Sequence, residues 1–330
     1  MSQNDYNKSK NIKKKKQSLG FKIFIGFSCI VLALAVASGG YFIGILSKMD
    51  NIKLNKDNLG IVEDELKDYN DTNKIKNIAL FGLDTTDSEN GRSDSIMIAT
   101  LDSVHNKLKI TSIMRDSHVN IDGYGMDKIN HAYAYGGPEL SIKTLNENFG
   151  LNIEDFVSVN FSSLPKIINI LDGVNIEITN DEIEHINKYI KDINRKNGTN
   201  SSYITYAGVQ HLDGTQALAY SRVRYTAGGD YKRTERQRTV VDAIFTKLTS
   251  TSVTSYNSLL NEVLPYVQTN LNSSDILSLG TKVLGIGNNL EQDRFPRDGY
   301  CEGAMINGVY YLTFDIETTK QQMRDYIFND

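Results

Sequence analysis

Arginines are concentrated in one short segment of this sequence, which reads AYSRVRYTAGGDYKRTERQR. The chain contains 25 lysines and 11 arginines, yet five of the arginines lie between Arg222 and Arg238. A planar guanidinium donates paired hydrogen bonds to phosphate or carboxylate oxygens, which an ammonium group cannot do. Arg222 and Arg224 are two residues apart, so an extended chain would direct both side chains to the same side. The segment therefore indicates an anion-binding site, and the alternative is a solvated basic patch.

The spacing of the other arginines along a predicted helix favours the anion-binding site. The helix is predicted over residues 230–248, and its apolar stripe consists of Val240, Val241, Ile244, Phe245 and Leu248. Arg233, Arg236 and Gln237 precede members of this stripe by four or seven residues, so their side chains should extend the stripe. Arg238 should instead project toward solvent. Cations at a helix N-terminus oppose the helix dipole by ~0.3–1 kcal/mol each, and a bound anion would offset that cost.

A pair of aspartates flanks the loop in the segment GLDTTDSENGRSDS. Asp84 directly follows the first predicted strand, and Asp94 directly precedes the second. Neighbouring strands would bring both carboxylates to one edge of a sheet, where α/β folds place their ligands. Paired aspartates beside a phosphate suit Mg²⁺, and Arg92, Arg115 and Lys128 would supply further phosphate contacts. The alternative, a polar turn with capping aspartates, stays open at this point.

Short apolar runs alternate with helical segments in the C-terminal three-quarters of the chain. Strands are predicted at residues 78–81, 96–101, 108–114, 156–160 and 174–178, and helices at 138–149, 163–171 and 317–327. The pair Asn307-Gly308 predicts a hairpin over residues 304–314. Strands that alternate with helices predict an α/β layered fold.

The N-terminal part of the chain predicts a membrane anchor. Residues 23–46 are 24 uncharged, mostly apolar residues, and residues 1–22 carry seven lysines and one acidic residue. A helix of 24 residues is about 36 Å long, enough to cross a hydrocarbon core of ~30 Å. The lysines predict a cytoplasmic N-terminus. A cleaved signal peptide is the alternative, since Ala35-Val36-Ala37 resembles a cleavage site. However, the apolar run continues nine residues beyond it.

These features divide the chain into four segments. We expect a cytoplasmic basic tail at residues 1–22, a single-pass transmembrane anchor at 23–46, an extracellular stalk at 47–74 and an extracytoplasmic catalytic domain at 75–330. The protein should therefore reside in the cell membrane with its folded domain outside.

The composition excludes several classes of protein. Apolar residues make up 40% and charged residues 23% of the chain, which excludes disorder throughout. The net charge is −4 despite the basic tail, so the folded part is acidic. Nonspecific electrostatic binding of nucleic acid by the folded part is therefore excluded. Two cysteines, Cys29 and Cys301, are too few for a disulfide framework or a thiolate zinc site. No nucleophilic Ser–His–Asp arrangement is visible.

The order of motifs resembles that of the LytR–CpsA–Psr family. The matching segments read, in order, GLD, RSDSIMIATLD, ITSIMRDSHVNI, DKINHAYAYGGPEL, VNF, LDGV, HLDGTQALAYSRVRY and GDYKRTERQR. They span residues 75–248, and a long run of ordered motifs is highly specific. The outward-facing anchor also fits the family. Residues after 248 match less distinctively.

The resemblance implies a layered α-β-α domain around a central mixed β-sheet and a Mg²⁺-dependent phosphotransferase of Gram-positive cell envelopes. Family members attach a glycopolymer, such as a teichoic acid, a capsule or a similar anionic polysaccharide, to peptidoglycan through a phosphodiester bond. The donor is an undecaprenyl-diphosphate carrier, and the usual acceptor is the 6-hydroxyl of N-acetylmuramic acid. Magnesium and arginines bind the diphosphate at the mouth of an apolar tunnel that holds the polyprenyl chain. The apolar segments 156–161 and 167–171 are candidates to line such a tunnel here, with ordinary core as the alternative. The resemblance does not identify the polymer.

Carried onto this sequence, the resemblance assigns Asp84 and Asp94 to the magnesium site. It assigns diphosphate binding to the following residues: Arg92, Arg115, Lys128, Arg222, Arg224, Arg233, Arg236 and Gln237. The candidate catalytic residues are Arg222, Arg224, Asp94 and Arg115. Whether Asp94 acts as a base or only as a metal ligand stays open at this point.

Two other functions use the same residues. A polyprenyl-diphosphate glycan hydrolase would have water as its acceptor in place of a wall hydroxyl. A non-catalytic envelope binding or regulatory protein would bind the lipid without turnover. Direct control of DNA is excluded, because the 22-residue tail predicted to be cytoplasmic contains no helix-turn-helix.

Overall fold

The computed structural model describes residues 50–85, 91–250, 259, 262–286 and 290–329. The predicted tail, the predicted anchor and the first residues of the predicted stalk lie outside these ranges. Among the residues in these ranges, no helix is both long and apolar enough to span a bilayer.

A seven-stranded sheet forms the centre of the domain within the described residues, in the strand order β1-β10-β7-β2-β3-β4-β11. Its strands are β1 (Asp50–Asn51), β2 (Ile75–Leu83), β3 (Ser93–Asp102), β4 (Lys107–Ile113), β7 (Asp155–Asn160), β10 (Gln268–Thr269) and β11 (Leu290–Phe295). The strand pairs β2–β3, β3–β4 and β7–β10 are antiparallel, whereas β2–β7, β4–β11 and β1–β10 are parallel. The central sheet is therefore mixed, as the resemblance implied.

Three antiparallel sheets of two strands each complete the β structure that is described. They pair β5 (His118–Ile121) with β6 (Gly125–Lys128), β8 (Val174–Ile178) with β9 (Gly208–Leu212), and β12 (Cys301–Ile306) with β13 (Val309–Phe314). Asn307 and Gly308 both have positive φ angles, 49° and 80°, at the turn between β12 and β13. This is the backbone that an Asn-Gly turn favours, so the predicted hairpin is confirmed.

Helices cover both faces of the central sheet. They are α1 (Glu63–Leu66), α2 (His131–Phe149), α3 (Ser163–Ile170), α4 (Asn180–Asn197), α5 (Gly214–Arg222), α6 (Gly229–Ser250), α7 (Ser273–Ile286) and α8 (Ile316–Phe328). The predicted start at Pro138 marks a kink within α2, because Gly136 and Gly137 depart from helical geometry just before it. Gly150 ends this helix in the left-handed conformation, with a φ of 64°. The layered α-β-α arrangement is therefore confirmed.

The two faces of the sheet are packed differently. On one face, Phe81, Ile98 and Phe156 are buried against α2 and α8 in the main hydrophobic core. Alternate residues of a strand point to opposite faces. Leu80 of β2 and Met97 of β3, which therefore face the other way, line a cavity instead. A second core, formed largely by α4, α5 and the β8–β9 pair, supports the helices on the cavity side. The sheet thus forms one wall of the binding site.

The predicted domain boundary near residue 75 is wrong. Leu59 is fully buried, and Leu66 and Tyr69 are buried with it in the main core. The Tyr69 hydroxyl also donates a hydrogen bond of 3.0 Å to Asp325 on α8. The Leu59 carbonyl accepts a 2.8 Å hydrogen bond from Asn146 on α2. Residues 50–74 therefore pack on the domain and do not form a free stalk.

A buried lysine links the sheet to the C-terminal helix, and we expect its loss to destabilise the protein. The Lys109 side chain is fully buried, donates a 2.7 Å hydrogen bond to the Tyr326 carbonyl, and lies 3.6 Å from Asp102. Lys109→Ala removes the buried ammonium group from Asp102, which keeps its contacts with His105, and removes the donor to the Tyr326 carbonyl of α8. Removing one member of a buried pair costs about 3–5 kcal/mol of unfolding free energy. Urea unfolding measures this loss.

Lys107 provides the matched control on the same strand. It is more exposed and forms a 3.0 Å ion pair with Glu291. We expect Lys107→Ala to cost at most about 1 kcal/mol, because exposed ion pairs contribute little. Equal losses for the two variants would contradict a structural role of the buried lysine.

Candidate functional site

The site is a largely apolar cavity with a charged mouth. The cavity has a volume of about 640 Å³ and lies against the face of β2, β3 and β7 that is opposite the main hydrophobic core. Its apolar walls include Leu80, Met97, Val157, Val159, Phe161, Ile167, Leu171, Val241, Ile244 and Leu248. Residues from both segments, 156–161 and 167–171, therefore line this cavity. Val240, Val241, Ile244 and Leu248 of the α6 stripe line it too, and Val240 also packs in the second core.

The charged mouth brings together nine of the ten residues that the sequence predicted for the site. Those that line the cavity are Asp84, Arg92, Asp94, Arg115, Lys128, Arg222, Arg224, Arg233 and Gln237. They come from the ends of β2, β3, β4 and β6, from the end of α5, and from the first turns of α6. An apolar interior with cations at its entrance suits an amphiphilic anion, because the two ends of such a ligand need opposite environments.

The two aspartates reach this mouth because the β2–β3 pairing is irregular where it ends. Gly82 pairs with Ser95, whereas Leu83 pairs with Ser93, so Asp94 is an extra residue in a bulge. Bulges redirect a side chain at the edge of a sheet. The Asp84 amide donates a 2.9 Å hydrogen bond to the Arg92 carbonyl, which closes the pairing beyond the bulge.

Asp94 is held by two donors. One of its oxygens lies 2.7 Å from Nη1 of Arg115, and the other accepts a 3.2 Å hydrogen bond from Asn130. Arg115 also lies 3.6 Å from Asp230 and 3.5 Å from Asp116. Burial opposes the charge of this guanidinium, but the three surrounding carboxylates outweigh burial and raise its pKa. Arg115 is therefore a fixed cation at the centre of the mouth.

The other cations differ in exposure. Arg233 is buried, and burial lowers its pKa, although Asp230 lies 3.1 Å away and partly compensates. Lys128 forms a 2.8 Å ion pair with Asp116.

The sequence did not predict Asp116 or Asn130 as members of the site. Their positions offered a signal, because Asp116 directly follows Arg115 and Asn130 belongs to the DKIN motif.

Arg222 and Arg224 both lie at the mouth, but the backbone that carries them is not the extended chain that was predicted. Arg222 is the last residue of a helix, and the chain becomes extended only at Val223. The Arg222 guanidinium lies between two aromatic rings, 4.7 Å from that of Phe161 and 5.3 Å from that of Tyr189. Such cation–π contacts fix its direction. Arg224 is exposed and lies over Tyr225 at 5.4 Å.

Arg236 is not among the residues that line the cavity, contrary to the prediction. Its Nε lies 2.6 Å from Glu182, and it donates further hydrogen bonds to the Val223 carbonyl and the Thr226 hydroxyl at 3.0 and 2.7 Å. Glu182 also caps the start of α4. Arg236 therefore joins α6 to α4 and to the loop that carries Arg224, and each of its three nitrogens donates to a protein acceptor.

We expect Arg236→Lys to reduce stability and to leave unchanged the KM for the polyprenyl-diphosphate donor that the family resemblance implies. A lysine keeps the charge but loses the hydrogen bonds to the loop, at about 1–3 kcal/mol of unfolding free energy. Thermal unfolding and donor titration measure the two effects. Arg233→Lys is the comparison, because Arg233 lines the cavity and its replacement should raise the donor KM. Similar increases in donor KM for the two variants would return Arg236 to the diphosphate site.

The position predicted for Arg238 is also wrong. It is only partly exposed, and burial lowers its pKa. Arg294 and Asp293 of β11 are among the charges that act on it. The side of α6 predicted to face solvent is thus covered by the edge of the sheet.

The acidic side chains at the mouth fit a magnesium ion that shares its ligands with a phosphate. Across the part of the chain that the structure describes, no group of three or more His, Cys, Asp or Glu residues is placed to hold a metal. Asp84 and Asp94 are two carboxylates at one mouth. Mg²⁺ commonly binds one or two carboxylates and completes its octahedron with substrate phosphates and water. This donor set therefore suits an ion that arrives with its substrate.

Comparison with known proteins agrees with this geometry. The sequence model of the LytR_cpsA_psr family matches residues 45–326. A relative from Enterococcus faecalis, named polyisoprenyl-teichoic acid–peptidoglycan teichoic acid transferase TagU, is 31% identical over 90% of this chain and 94% of its own. The solved structure of TagT bound to LI-WTA has a TM-score of 0.63 and 28% identity, over 78% of this chain and 92% of its own. A TagT structure with bound octaprenyl pyrophosphate lipid has a TM-score of 0.60 and 26% identity, over 80% and 95%.

Proposed function

The chain belongs to the LytR–CpsA–Psr family, and from that premise we propose that it is a phosphotransferase of the cell envelope. It transfers an anionic glycopolymer, such as a teichoic acid, from a polyprenyl-diphosphate carrier to peptidoglycan through a phosphodiester bond. The cavity carries this proposal, because its apolar interior opens at a mouth lined by five arginines and a lysine. The relatives support it, since one is named as such a transferase and another binds a polyprenyl pyrophosphate.

The two ends of the cavity select the two parts of the donor. The polyprenyl chain lies against Leu80, Met97 and Val241, where burial of apolar surface stabilises it by roughly 25 cal/mol per Å². The diphosphate stays at the mouth, where Arg115 and Arg233 are already desolvated and positioned by Asp94 and Asp230. Cations that need no reorganisation stabilise the charge that develops on phosphate oxygens during transfer.

The proposed reaction is one displacement at phosphorus. A hydroxyl oxygen of the acceptor sugar forms a bond to the phosphorus that bears the glycan. The bond from that phosphorus to the bridging oxygen breaks, and polyprenyl phosphate leaves with the electron pair. The hydroxyl proton passes to solvent or to a carboxylate at the mouth. Phosphoryl transfer depends mainly on positioning and charge neutralisation, which the arginines supply.

The proposed cofactor is Mg²⁺, which would be held by Asp84 and Asp94. When bound, it neutralises charge on the diphosphate. Both oxygens of Asp94 already accept hydrogen bonds, from Arg115 and Asn130. These two hydrogen bonds fix the direction of the carboxylate, as outer donors do for metal ligands. We therefore assign Asp94 to the metal.

The proposed location is the cell membrane, with the folded domain on the outer side. The apolar run of residues 23–46 and the basic tail before it support this placement. It puts the mouth of the cavity in the compartment that contains both the lipid-linked polymer and the wall.

The test uses the full chain in detergent micelles with a polyprenyl-diphosphate glycan, a peptidoglycan fragment and Mg²⁺. Mass spectrometry should detect a phosphodiester-linked product that requires both substrates. Release of free glycan phosphate in the presence of acceptor would instead identify a hydrolase. Binding of the lipid without turnover would identify a non-catalytic protein. Either of these results would overturn the proposal.

A further inference from the structure

A second cavity lies beside the first. It has a volume of about 350 Å³ and shares Asp84, Phe161, Leu218 and Arg222 with the larger cavity. It extends beyond them to the last turn of α4, where Lys196 and Asn197 line it. The residues shared by the two cavities include a proposed magnesium ligand and the arginine held between Phe161 and Tyr189. The two cavities therefore meet at the reacting centre.

The direction of the reaction gives this second cavity a role. In phosphoryl transfer, the attacking and leaving oxygens lie roughly in line on opposite sides of the phosphorus. The leaving group is polyprenyl phosphate, whose chain occupies the larger cavity. The attacking hydroxyl must then approach from the side away from that cavity. The second cavity provides a recessed volume beside the larger one, beyond the shared residues Arg222 and Asp84.

The lining of the second cavity has the chemistry of a sugar site. Phe161 and Leu218 offer apolar surface to the face of a sugar ring. Asn197 and Asp84 offer a donor and acceptors for ring hydroxyls. Lys196 is exposed and, within the described ranges, has no carboxylate at ion-pair distance. This contrasts with Lys188 of the same helix, which pairs with Glu184 at 2.8 Å. An unpaired cation beside a sugar site favours an acceptor that carries a carboxylate.

We propose that this second cavity, here called the acceptor pocket, binds the sugar whose hydroxyl attacks the donor. Lys196 contacts a carboxylate on that acceptor, such as those of the peptide stems of peptidoglycan. The inference rests on the proposed transferase function and adds to it the place and charge preference of the acceptor. It separates the roles of the two cavities, with donor lipid in the larger and acceptor sugar in the smaller.

The experiment measures initial rates of transfer by the full chain in micelles while either substrate is varied. Lys196→Glu should raise the KM for a carboxylate-bearing peptidoglycan fragment about tenfold, because repulsion replaces attraction, and should leave the donor KM unchanged. The increase should disappear when the acceptor carboxylates are converted to amides. Asn197→Trp should fill the pocket and raise the acceptor KM at least tenfold for both acceptors. Lys191→Glu and Lys191→Trp, on an exposed position of the same helix outside the pocket, are the matched controls.

The outcomes separate this inference from the proposed function. Absence of transfer by the unaltered protein would overturn the proposed function. Direct binding of the fragment, followed by ligand-observed NMR, would then still show whether Lys196→Glu and Asn197→Trp affect it. If transfer occurs and the two variants raise only the donor KM, the pocket holds a sugar of the donor and the inference is wrong. Unchanged acceptor KM values for both variants would also overturn it.

Discussion

Replacement of Arg222 by alanine should lower kcat/KM for transfer by about 10²–10³-fold, the usual loss when one preorganised charge-stabilising donor is removed. Arg222 is the arginine of the mouth that lines both cavities, and it lies against two aromatic rings. We therefore expect it to contact phosphate oxygens when the lipid lies in one cavity and the acceptor in the other. Because it stabilises charge that grows in the transition state, most of the loss should appear in kcat.

Two further variants make this prediction specific. Arg222→Lys keeps the charge but loses the planar contact with Phe161 and Tyr189, so its activity should fall between those of the unaltered protein and Arg222→Ala. Arg195→Ala removes an exposed arginine near the end of α4 that does not line the larger cavity, and it should leave the rate unchanged. If Arg222→Ala raised only the donor KM, the residue would be a binding contact and not a catalytic one.

Residues at strand ends were predictable from the sequence because their placement follows from local rules. Asp84, Asp94 and Arg115 each flank an apolar run, and ends of neighbouring strands meet at one edge of a sheet. The proximity of these side chains could therefore be predicted from the sequence alone. It did not indicate the bulge that makes Asp94 an extra residue in the β2–β3 pairing, since a shift of register depends on both strands.

The helix that carries Arg233 and Arg236 shows what helical spacing alone does not predict. Their spacing placed both on the apolar face, and both are indeed buried. Arg233 lines the cavity, whereas Arg236 is bound by Glu182, which is 54 residues distant in the chain. Periodicity identifies a buried face of a helix but not the neighbour that covers each part of it. The same limit explains Arg238, whose covering strand β11 lies more than fifty residues downstream.

The prediction of a free stalk before residue 75 was wrong for a related reason. Leu59, Leu66 and Tyr69 are seven and three residues apart, a spacing that fits one face of a helix, but the stretch around them is polar and only weakly periodic. The Tyr69 hydroxyl reaches Asp325 on α8, and the Leu59 carbonyl accepts a hydrogen bond from Asn146 on α2. Contacts between the two ends of a sequence leave little trace in its local pattern.

Asp94→Asn should lower the transfer rate by about 10²-fold, the lower end of the cost of removing one preorganised electrostatic group. Asparagine has nearly the shape of aspartate and can still accept the hydrogen bond from Arg115, so the fold of the β3 bulge should persist. It lacks the negative charge that Mg²⁺ requires. The variant should therefore need about 10–100-fold more Mg²⁺ for half-maximal rate, as other losses at metal sites do. Titration of the rate with Mg²⁺ measures this shift.

Asp116 makes the comparison decisive. It also lies at the mouth and pairs with Lys128 and Arg115, but the proposal does not place it on the metal. Asp116→Asn should change the rate without moving the Mg²⁺ requirement, whereas Asp84→Asn should move it as Asp94→Asn does. If the requirement were the same for Asp94→Asn and Asp116→Asn, the role of Asp94 would be to orient Arg115. The arginines would then neutralise the diphosphate without an aspartate-bound metal, since their guanidinium groups stay charged when that carboxylate is lost.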